Sequence, residues 1–519
     1  MTRPSSSIEY IEFDSKPLVD VLHLTPPPLL PAEPFTQLSY IEEHVRKLGC
    51  QTVLLEPHYI DRHYMEDHSI LYSKNFLSLP NYCKRLHFFS LNATEIRAKL
   101  KAILEVAKTK GRKAYMEACI NFSDSAYLGF CVIKPLEGSP VGRTTLRCYD
   151  KDAGNQLVRR FASIGTSWIH VAGAKLKVDG LPFQQQDIGV SACATTALWS
   201  SLQQSGAFEE TRPATPAQIT LLASQYALPF GKAMPNEGLS VDQMCQATQA
   251  LGVPPSLIRV EENFEDARAH LHSATLSRFA PVLIIQLEEN PDENHAVTVA
   301  GVKTDTSFDP LLSKRPDVDM SMELRAVYFH DDRIGPYVRA TIGKSSNSLL
   351  FTIPFESGRK EEKWILTHIL IPMHPKIRIS FAGLREVAKR VVAEVAKGLR
   401  ELLKAEGQLG SFATFPRIRF ETRIERATDY VENLICEPSR MDQKEIERLV
   451  YDTALSRYVG TVMLQSESIG RIDLLVDTTS TINNINFLAV VVKEPAKYSD
   501  RIAELLNNSC RCVVKLVAP

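Results

Sequence analysis

A cysteine, a histidine and an aspartate occur in this order along the chain, in settings typical of nucleophilic catalysis. Cys193 follows a short turn that contains Gly and Ser, and it precedes the run ATTALWSSLQQ, which predicts a helix. The positive end of a helix dipole stabilises a thiolate, and a thiolate nucleophile needs a base that is held by a third group. We therefore expect Cys193 to be a nucleophile.

The base and its orienting group are found downstream. His295 begins the strand-like run HAVTVAGV, and Asp331 ends the strand-like run RAVYFHD, just before a turn around Gly335. A histidine at the start of a strand lies at the edge of a domain, where a helix N-terminus can meet it. A carboxylate on the far ring nitrogen fixes the tautomer of such a histidine. The sequence thus predicts His295 as the general acid/base and Asp331 as its orienting group.

Three successive glutamines precede the cysteine and supply candidates for an oxyanion hole. They are Gln184, Gln185 and Gln186. A side-chain amide, together with the backbone N–H of the nucleophile, stabilises the oxyanion of an acyl-transfer intermediate. Gln186 is the expected donor, and its two neighbours remain alternatives.

This ordered set resembles the papain-like cysteine peptidases, across about residues 180–340. It is most similar to the bacterial branch that removes double-glycine leaders from bacteriocins, and to the stand-alone relatives of that branch. The segment CATTAL keeps the Cys, Ala and Leu of the nucleophile motif, and EGLSVDQMCQATQALGV resembles the middle helix of the family. NHAVTVAGV resembles the histidine strand, and HDDRIG resembles the Asp-Pro-x-x-Gly motif, which favours Asp331 over Asp332 as the orienting carboxylate.

Three positions depart from the family pattern. Ala194 and Asn294 each stand where the family has Gly, and Asp187 stands where it has the oxyanion-hole Gln, with Gln186 one residue further from the cysteine. The resemblance implies a papain-like fold and hydrolysis of a peptide or isopeptide bond through a thioester, on a peptide or protein substrate, without a metal or organic cofactor. A deamidase or acyltransferase with the same triad is the first alternative. A catalytically inactive peptide-binding module is the second.

The fold class that we expect is α+β, with the papain-like core flanked by an N-terminal α+β domain and a C-terminal α/β domain. Residues 1–35 are polar and proline-rich and predict a leader, and residues 36–154 predict the N-terminal domain. Residues 155–345 predict the peptidase-like domain, and residues 346–519 the C-terminal domain, which includes a long amphipathic helix at 380–406.

Composition excludes several classes of protein. The 519 residues carry 60 Lys and Arg against 61 Asp and Glu, which argues against a global electrostatic grip on nucleic acid or on an anionic membrane. The ten cysteines are scattered without a CxxC pair, which is typical of a reducing compartment rather than of a disulfide framework. The N-terminus has no signal-peptide pattern, and the apolar runs are too short for a membrane helix. We expect a cytoplasmic protein that does not associate with membranes.

Two further groups of polar residues carry weaker signals. The segment 57–72 is rich in His, Asp and Glu, but its spacing matches no metal motif, so a metal site is not expected there. Asp473 and Asp477 in RIDLLVD could indicate a nuclease-type carboxylate pair. Because no third acidic residue or lysine follows at a useful spacing, the sequence favours an ordinary strand for this segment.

Overall fold

A computed structural model describes residues 8–23, 36–74, 79–136, 138–151, 156–187, 192–209, 213–225, 238–260, 264–305, 317–345, 348–355, 360–407, 417–436, 443–479, 486–507 and 510–515. Within these residues the strands form sheets of five, eight, six and two strands, with helices packed between and around them. The chain is therefore a mixed α+β protein, as the sequence predicted.

The first nine elements fold around one antiparallel sheet. They are β1 (Glu9–Glu12), α1 (Leu18–Leu22), α2 (Thr36–Lys47), β2 (Thr52–Tyr59), α3 (Arg62–Ile70), β3 (Cys83–Phe89), α4 (Ala93–Ala126), β4 (Tyr127–Ile133) and β5 (Val141–Leu146). The strands pair in chain order, so β1, which lies within the expected leader, is the edge strand of this sheet. Val53 and Leu55 face one apolar cluster and Leu54 faces another, so both faces of the sheet are buried.

The segment NATEIRAKLKAILEVAKTKG predicts a helix that ends at Gly111, but the helix α4 is longer. Asn92 caps it, since its side chain accepts a hydrogen bond from the backbone N–H of Glu95. Gly111, the expected end of the helix, has a φ of +79° and interrupts the helical geometry, but the chain resumes the helix and continues to Ala126. A left-handed glycine is thus a kink within this element rather than its end.

The next fifteen elements form the central part of the chain. They are β6 (Leu157–Arg160), β7 (Gly165–Val171), β8 (Ala174–Gly180), α5 (Cys193–Glu209), α6 (Pro216–Ala223), α7 (Val241–Ala250), β9 (Pro255–Arg259), α8 (Phe264–Leu276), β10 (Val282–Leu287), β11 (Asn294–Asp305), β12 (Asp317–Asp319), β13 (Leu324–Asp331), β14 (Gly335–Ser345), β15 (Ser348–Phe355) and β16 (Lys360–Pro372). Six of these strands close into a barrel in the order β10-β11-β13-β14-β15-β16, because β16 pairs back onto β10. Alternate side chains such as Val297, Phe329 and Phe351 fill the barrel as one apolar cluster.

The barrel does not follow the domain boundary expected at residue 345. The strands β15 and β16 lie beyond that position and complete the barrel, so the chain leaves it only after Pro372. The hairpin of β7 and β8 lies within the expected peptidase-like range, but Ile169 and Leu176 pack with the N-terminal helix α4. Turn composition locates the connections between strands, but it does not show which sheet each strand joins.

The last elements form a third sheet. They are α9 (Phe381–Ala405), β17 (Ile418–Arg426), α10 (Ala427–Cys436), α11 (Gln443–Glu447), β18 (Tyr458–Ser466), β19 (Gly470–Asp477), β20 (Phe487–Glu494), α12 (Ser499–Asn507) and β21 (Cys510–Lys515). The sheet order is β12-β17-β18-β19-β20-β21, and only the two edge pairs are parallel. The sequence predicted an α/β arrangement here, whereas the central pairs are antiparallel.

The helix predicted at 380–406 is the main cover of this third sheet. Ser380 caps α9 by accepting a hydrogen bond from Gly383 N, and the apolar stripe of the helix includes Leu384, Val391 and Val395. These side chains share an apolar cluster with Phe420 of β17. In the part of the chain that the structure describes, no helix has both the length and the apolar character needed to cross a bilayer.

Candidate active site

Cys193 is the first residue of α5, where the sequence placed it, and its side chain is half-buried. Two contacts fix this helix. Trp199 Nε1 donates a hydrogen bond to His63 Nδ1 of the N-terminal sheet's helix α3 at 3.1 Å, and Thr298 Oγ1 of β11 donates to the Ala197 carbonyl at 2.6 Å. The start of α5 is therefore held against the strand that carries the predicted base.

His295 is the second residue of β11 and is 5% exposed. Its Nε2 lies 3.1 Å from Asp331 Oδ1, in hydrogen-bonding geometry. Its ring lines the same groove as Cys193, and an interaction with Cys193 helps to raise the pKa of the ring. Because Nε2 faces Asp331, Nδ1 is the nitrogen left for the thiol. The structure thus brings Cys193, His295 and Asp331 together in the predicted order of contacts.

The pairing of β11 with β13 explains why residues 36 positions apart in the sequence meet. The strands are antiparallel, and Thr298 is the register partner of His330. The start of β11 therefore lies beside the end of β13, which places His295 next to Asp331 at one end of the barrel. The helix α5 begins at the same end.

Arg333 holds the orienting carboxylate. Its Nη2 lies 2.9 Å from Asp331 Oδ2, its Nε donates to Oδ1 at 3.2 Å, and its backbone N–H donates to Oδ1 at 3.0 Å. Its Nη1 pairs with Glu362 at 3.2 Å, and Glu362 also accepts from the indole N–H of Trp364 at 3.0 Å. Asp331 is fully buried, so this bidentate guanidinium supplies the countercharge that burial requires.

These contacts set the protonation of the pair. Burial lowers the pKa of His295. The charge and hydrogen bond of Asp331, the interaction with Cys193 and the charge of Asp332 raise it by more than burial lowers it, so that the pKa is about 10. Burial raises the pKa of Asp331, but Arg333 and His295 lower it far below its ordinary range. The site therefore favours an imidazolium beside an ionised Asp331, which is the charge state that stabilises a cysteine thiolate.

Asp332 is a second carboxylate at the same ring. Its Oδ1 lies 3.4 Å from His295 Nε2, and neither carboxylate oxygen makes a hydrogen bond although the residue is 4% exposed. Burial raises the pKa of this carboxyl to about 6; His295 and Arg333 oppose the rise, and Asp331 adds to it. Asp332 therefore changes charge close to neutral pH, next to a group that stays positive.

Hydrogen bonds join the turn after β13 to the N-terminal unit, which consists of the first nine elements, β1 to β5 with α1 to α4. Gln37 Nε2 of α2 donates to the backbone carbonyls of Asp332 and Arg333 at 2.9 and 3.0 Å. The hydroxyl of Tyr337 donates to the Leu146 carbonyl of β5 at 2.9 Å. The helix α2 and the strand β5 thus hold the turn that carries the carboxylates, although neither supplies a side chain to the triad.

A groove of about 610 Å³ opens beside Cys193 and His295. Its floor comes from β10, β11 and β16, and its wall comes from the start of α7, where Ser240 caps the helix. The lining is mainly apolar, with polar groups from a few side chains; it includes Leu239, Val241, Met244, Ile284, Gln286, Asn294, Leu366 and His368. A cleft of this size and character is typical of a ligand-binding site.

The three candidate glutamines have different positions. Gln186 is exposed. Gln185 has a structural role, because its amide donates to the Gly138 carbonyl and accepts from Val141 N. Gln184 is 5% exposed, its Nε2 has no hydrogen-bond partner, and it lines a small cavity of about 10 Å³ together with Asp332. None of the three is among the described residues that line the groove at Cys193.

Asp187 stands six residues before Cys193, where the resemblance to the papain-like peptidases leads one to expect an oxyanion-hole glutamine. Its carboxylate is buried and forms an ion pair with Lys134 at 3.1 Å. A carboxylate has no proton to donate when ionised, so Asp187 does not replace the missing amide. The donors that remain at the nucleophile are the backbone N–H groups at the start of α5.

His295, Asp331 and Asp332 also form a cluster of potential metal ligands. Ligand atoms of His295, Asp331 and Asp332 lie within 4.8 Å of one another. The guanidinium of Arg333, however, bonds both oxygens of Asp331 and already supplies a positive charge there. A cation would have to displace Arg333 or bind with two protein ligands only.

The His- and Asp-rich segment 57–72 has a structural part in the fold. Asp61 caps α3 and pairs with Arg143 at 3.0 Å, and Asp67 accepts a hydrogen bond from Ala217 N at 3.0 Å. His63 receives the indole N–H of Trp199. These contacts join the N-terminal unit to α5 and α6.

Sequence reasoning missed the supporting residues Arg333, Glu362 and Trp364. Arg333 stands within the quoted motif HDDRIG, but nothing in that motif shows that the side chain turns back onto Asp331. The pair of Glu362 and Trp364 lies on β16, beyond the expected end of the domain.

In comparisons with known proteins, the sequence matches no protein-family model and no curated protein.

Proposed function

We propose that this protein is a papain-like cysteine hydrolase that cleaves peptide or isopeptide bonds through a thioester on Cys193. The observation that carries the proposal is the chain of contacts from Cys193 to His295 to Asp331, at the edge of a groove large enough for a peptide. A nucleophile, a base and an orienting group in hydrogen-bonding contact are the signature of this chemistry.

Each residue has a defined part in the proposed reaction. The Cys193 thiolate attacks the carbonyl carbon, and the electron pair of the carbonyl moves to the oxygen, which the N–H groups at the start of α5 stabilise. His295 gives its proton to the leaving amine as the C–N bond breaks. Water then attacks the thioester, His295 takes a proton from it, and the acid product leaves as the thiolate returns.

Positioning follows from the surrounding contacts. Asp331 keeps the His295 ring oriented with Nδ1 toward the thiol, and Arg333 keeps Asp331 in place. The apolar wall formed by Val241 and Met244 would receive an apolar side chain of the substrate. The proposed reaction uses these side chains, the backbone N–H groups at the start of α5 and water.

The test uses the full chain and a variant pair. Cys193→Ala should lose labelling by a thiol-directed iodoacetamide probe at the site and should lose turnover of a denatured protein substrate by about 10³-fold or more. Cys245→Ala is the matched control, since Cys245 is also a free, half-buried cysteine and lies on α7 close to the groove. A Cys193→Ala protein that labels and turns over like the unaltered chain would refute the assignment.

Mass spectrometry of the products separates this function from its alternatives. Peptide cleavage gives two fragments, whereas a deamidase leaves the chain intact with one amide converted to a carboxylate, and an acyltransferase joins the fragment to an amine. The position of Asp187 gives a specific reason to consider a peptide-binding module, because the side-chain amide of the oxyanion hole is absent at that position. Binding of peptide without any covalent product would favour that module.

A further inference from the structure

A second polar pocket, remote in sequence from the triad, lies on the C-terminal sheet. Its volume is about 410 Å³. Strands β17, β18, β19 and β20 and the helix α10 line it, and six of the lining side chains are charged: Glu421, Arg423, Glu425, Arg471, Asp473 and Lys493. Three acidic and three basic groups thus meet in one cavity.

The alternation of the strands creates this polar face. Asp473 of β19 lies opposite Met463 of β18 and Val491 of β20, and side chains two positions apart share a face of a sheet. The other face packs Ile472 and Leu474 into the apolar cluster under α9. The charged residues are therefore on the face that α9 does not cover.

Asp473 is the central group of the pocket. It is 2% exposed, and its Oδ2 lies 3.2 Å from Lys493 Nζ and 3.1 Å from the Tyr430 hydroxyl. Its Oδ1 has no hydrogen-bond partner, and neither does Arg471 Nε, which lies 3.8 Å from that oxygen. A buried carboxylate oxygen and a buried guanidinium nitrogen without hydrogen bonds indicate a ligand that supplies both a cation and an anion.

Glu425 supplies a second carboxylate. Its Oε1 accepts a hydrogen bond from the Thr461 hydroxyl at 2.9 Å. Burial raises the pKa of Glu425, Arg423 and Thr461 lower it, and the charge of Asp473 raises it. Glu421, in contrast, is already paired with Arg423 and with Arg160. Asp473 and Glu425 are thus two acidic groups that repel each other at one pocket.

We propose that this pocket binds a divalent cation that carries a phosphate group, with Asp473 Oδ1 and Glu425 on the cation and with Arg471 and Lys493 facing the phosphate. Mg²⁺ is commonly held by one or two carboxylates together with water and substrate phosphates. Arg and Lys are the usual partners of phosphate oxygens. The ligand class is a phosphate ester, and a nucleic-acid backbone or a small phosphorylated molecule would present the same chemistry.

The sequence did not favour a carboxylate pair at Asp473 and Asp477, because no third acidic residue or lysine follows at a useful spacing. In the structure these partners come from other strands. The partner of Asp473 is not Asp477, which accepts a hydrogen bond from the Thr479 hydroxyl at 2.8 Å and does not line the pocket. The third acidic group and the lysine come from β17 and β20, at distances along the chain that no local motif contains.

The experiment measures Mn²⁺ binding to the full chain by electron paramagnetic resonance, with Mg²⁺ as competitor. One bound Mn²⁺ per chain is expected, with affinity that increases when phosphate is added. Asp473→Asn and Glu425→Gln, the second at a half-buried position, should each weaken the binding of Mn²⁺ by about tenfold or more. Asp477→Asn, on the same strand, and Cys193→Ala should bind as the unaltered chain does.

Two arms identify the source of the phosphate. Inorganic phosphate and a short single-stranded DNA are added separately to the Mn²⁺-loaded protein. Binding of the DNA that is tighter than binding of inorganic phosphate indicates a nucleic-acid ligand. Equal binding of the two indicates a small phosphate ester. Absence of Mn²⁺ binding, or binding that Asp473→Asn and Glu425→Gln leave unchanged, overturns the proposal. Unfolding in urea, measured on each variant, shows whether a loss of binding comes from a loss of the fold. If Asp473→Asn does not fold, the binding measured for Glu425→Gln decides the test.

Discussion

His295 Nε2 lies 3.1 Å from Asp331 Oδ1, and this contact joins the first residues of one barrel strand to the last residue of its neighbour. The carboxylate is buried with a guanidinium behind it, so its charge is kept next to the ring. Cys193 lines the groove beside the same ring, and its interaction with the ring helps to raise the pKa of His295. The properties of the candidate site therefore depend on how this one contact shifts the charge of His295.

Asp331→Asn should keep the position of the ring but remove the charge that holds its proton. We expect turnover to fall by about 10³-fold. The raised pKa of His295, about 10 against an ordinary 6.5, contributes stability that is complete below pH 6.5 and is lost as the pH rises through 10. The free energy of unfolding in urea should therefore fall less steeply between pH 6.5 and 10 in the variant than in the unaltered chain. Identical slopes would contradict the role of Asp331.

Asp332→Asn should stabilise the protein above pH 6. The pKa of this carboxyl is about 6 in the folded protein against an ordinary 3.8, so the unaltered chain loses stability as the pH rises from about 4 through 6. The variant should gain about 1–3 kcal/mol at pH 8 and less at pH 4. Asp292→Asn, at an exposed position just before β11, is the control and should change little at either pH. A gain for Asp332→Asn that is equal at both pH values would argue against the raised pKa.

Arg333→Met should be costly because it leaves the buried Asp331 without its cation. We expect a loss of about 3–5 kcal/mol in the free energy of unfolding, together with weaker labelling of Cys193. Arg333→Lys should recover part of the loss, since an ammonium keeps the charge but not the two parallel hydrogen bonds. Arg339→Met, at an exposed position of β14, provides the comparison. Equal denaturation midpoints for the two methionine variants would disprove the role given to Arg333.

Gly335→Ala should loosen the contact between the barrel and the N-terminal unit. A Cβ at this position would overlap the ring of Tyr40 on α2, with the ring Cγ at only 2.9 Å. We expect a loss of about 1–3 kcal/mol and reduced turnover, because the same turn carries Asp331 and Asp332. Gly343→Ala is the matched change, since its nearest neighbour would lie 3.9 Å away on Leu350. Thermal unfolding of both variants measures the difference, and a neutral Gly335→Ala would show that the contact can adjust.

The local elements were largely predictable from the sequence, because their signals are short-range. The amphipathic stripe of residues 380–406 predicted the helix that the structure shows as Phe381–Ala405, and the alternating run after His295 predicted the strand Asn294–Asp305. Gly111 was the exception. Its positive φ interrupts a helix that resumes because the second half packs Cys119 and Phe122 into the core, which is a tertiary contact.

The residue types and their order along the chain by themselves determined which cysteine, histidine and aspartate to examine, since helix starts and strand ends are readable from local patterns. Only the tertiary structure decided that His295 and Asp331 meet, because the register of β11 on β13 sets that distance. It also decided the places of Gln184, Gln185 and Gln186 and the support from Arg333 and Gln37. Such contacts depend on which strands pair and which turn folds back, and no spacing in the sequence encodes them.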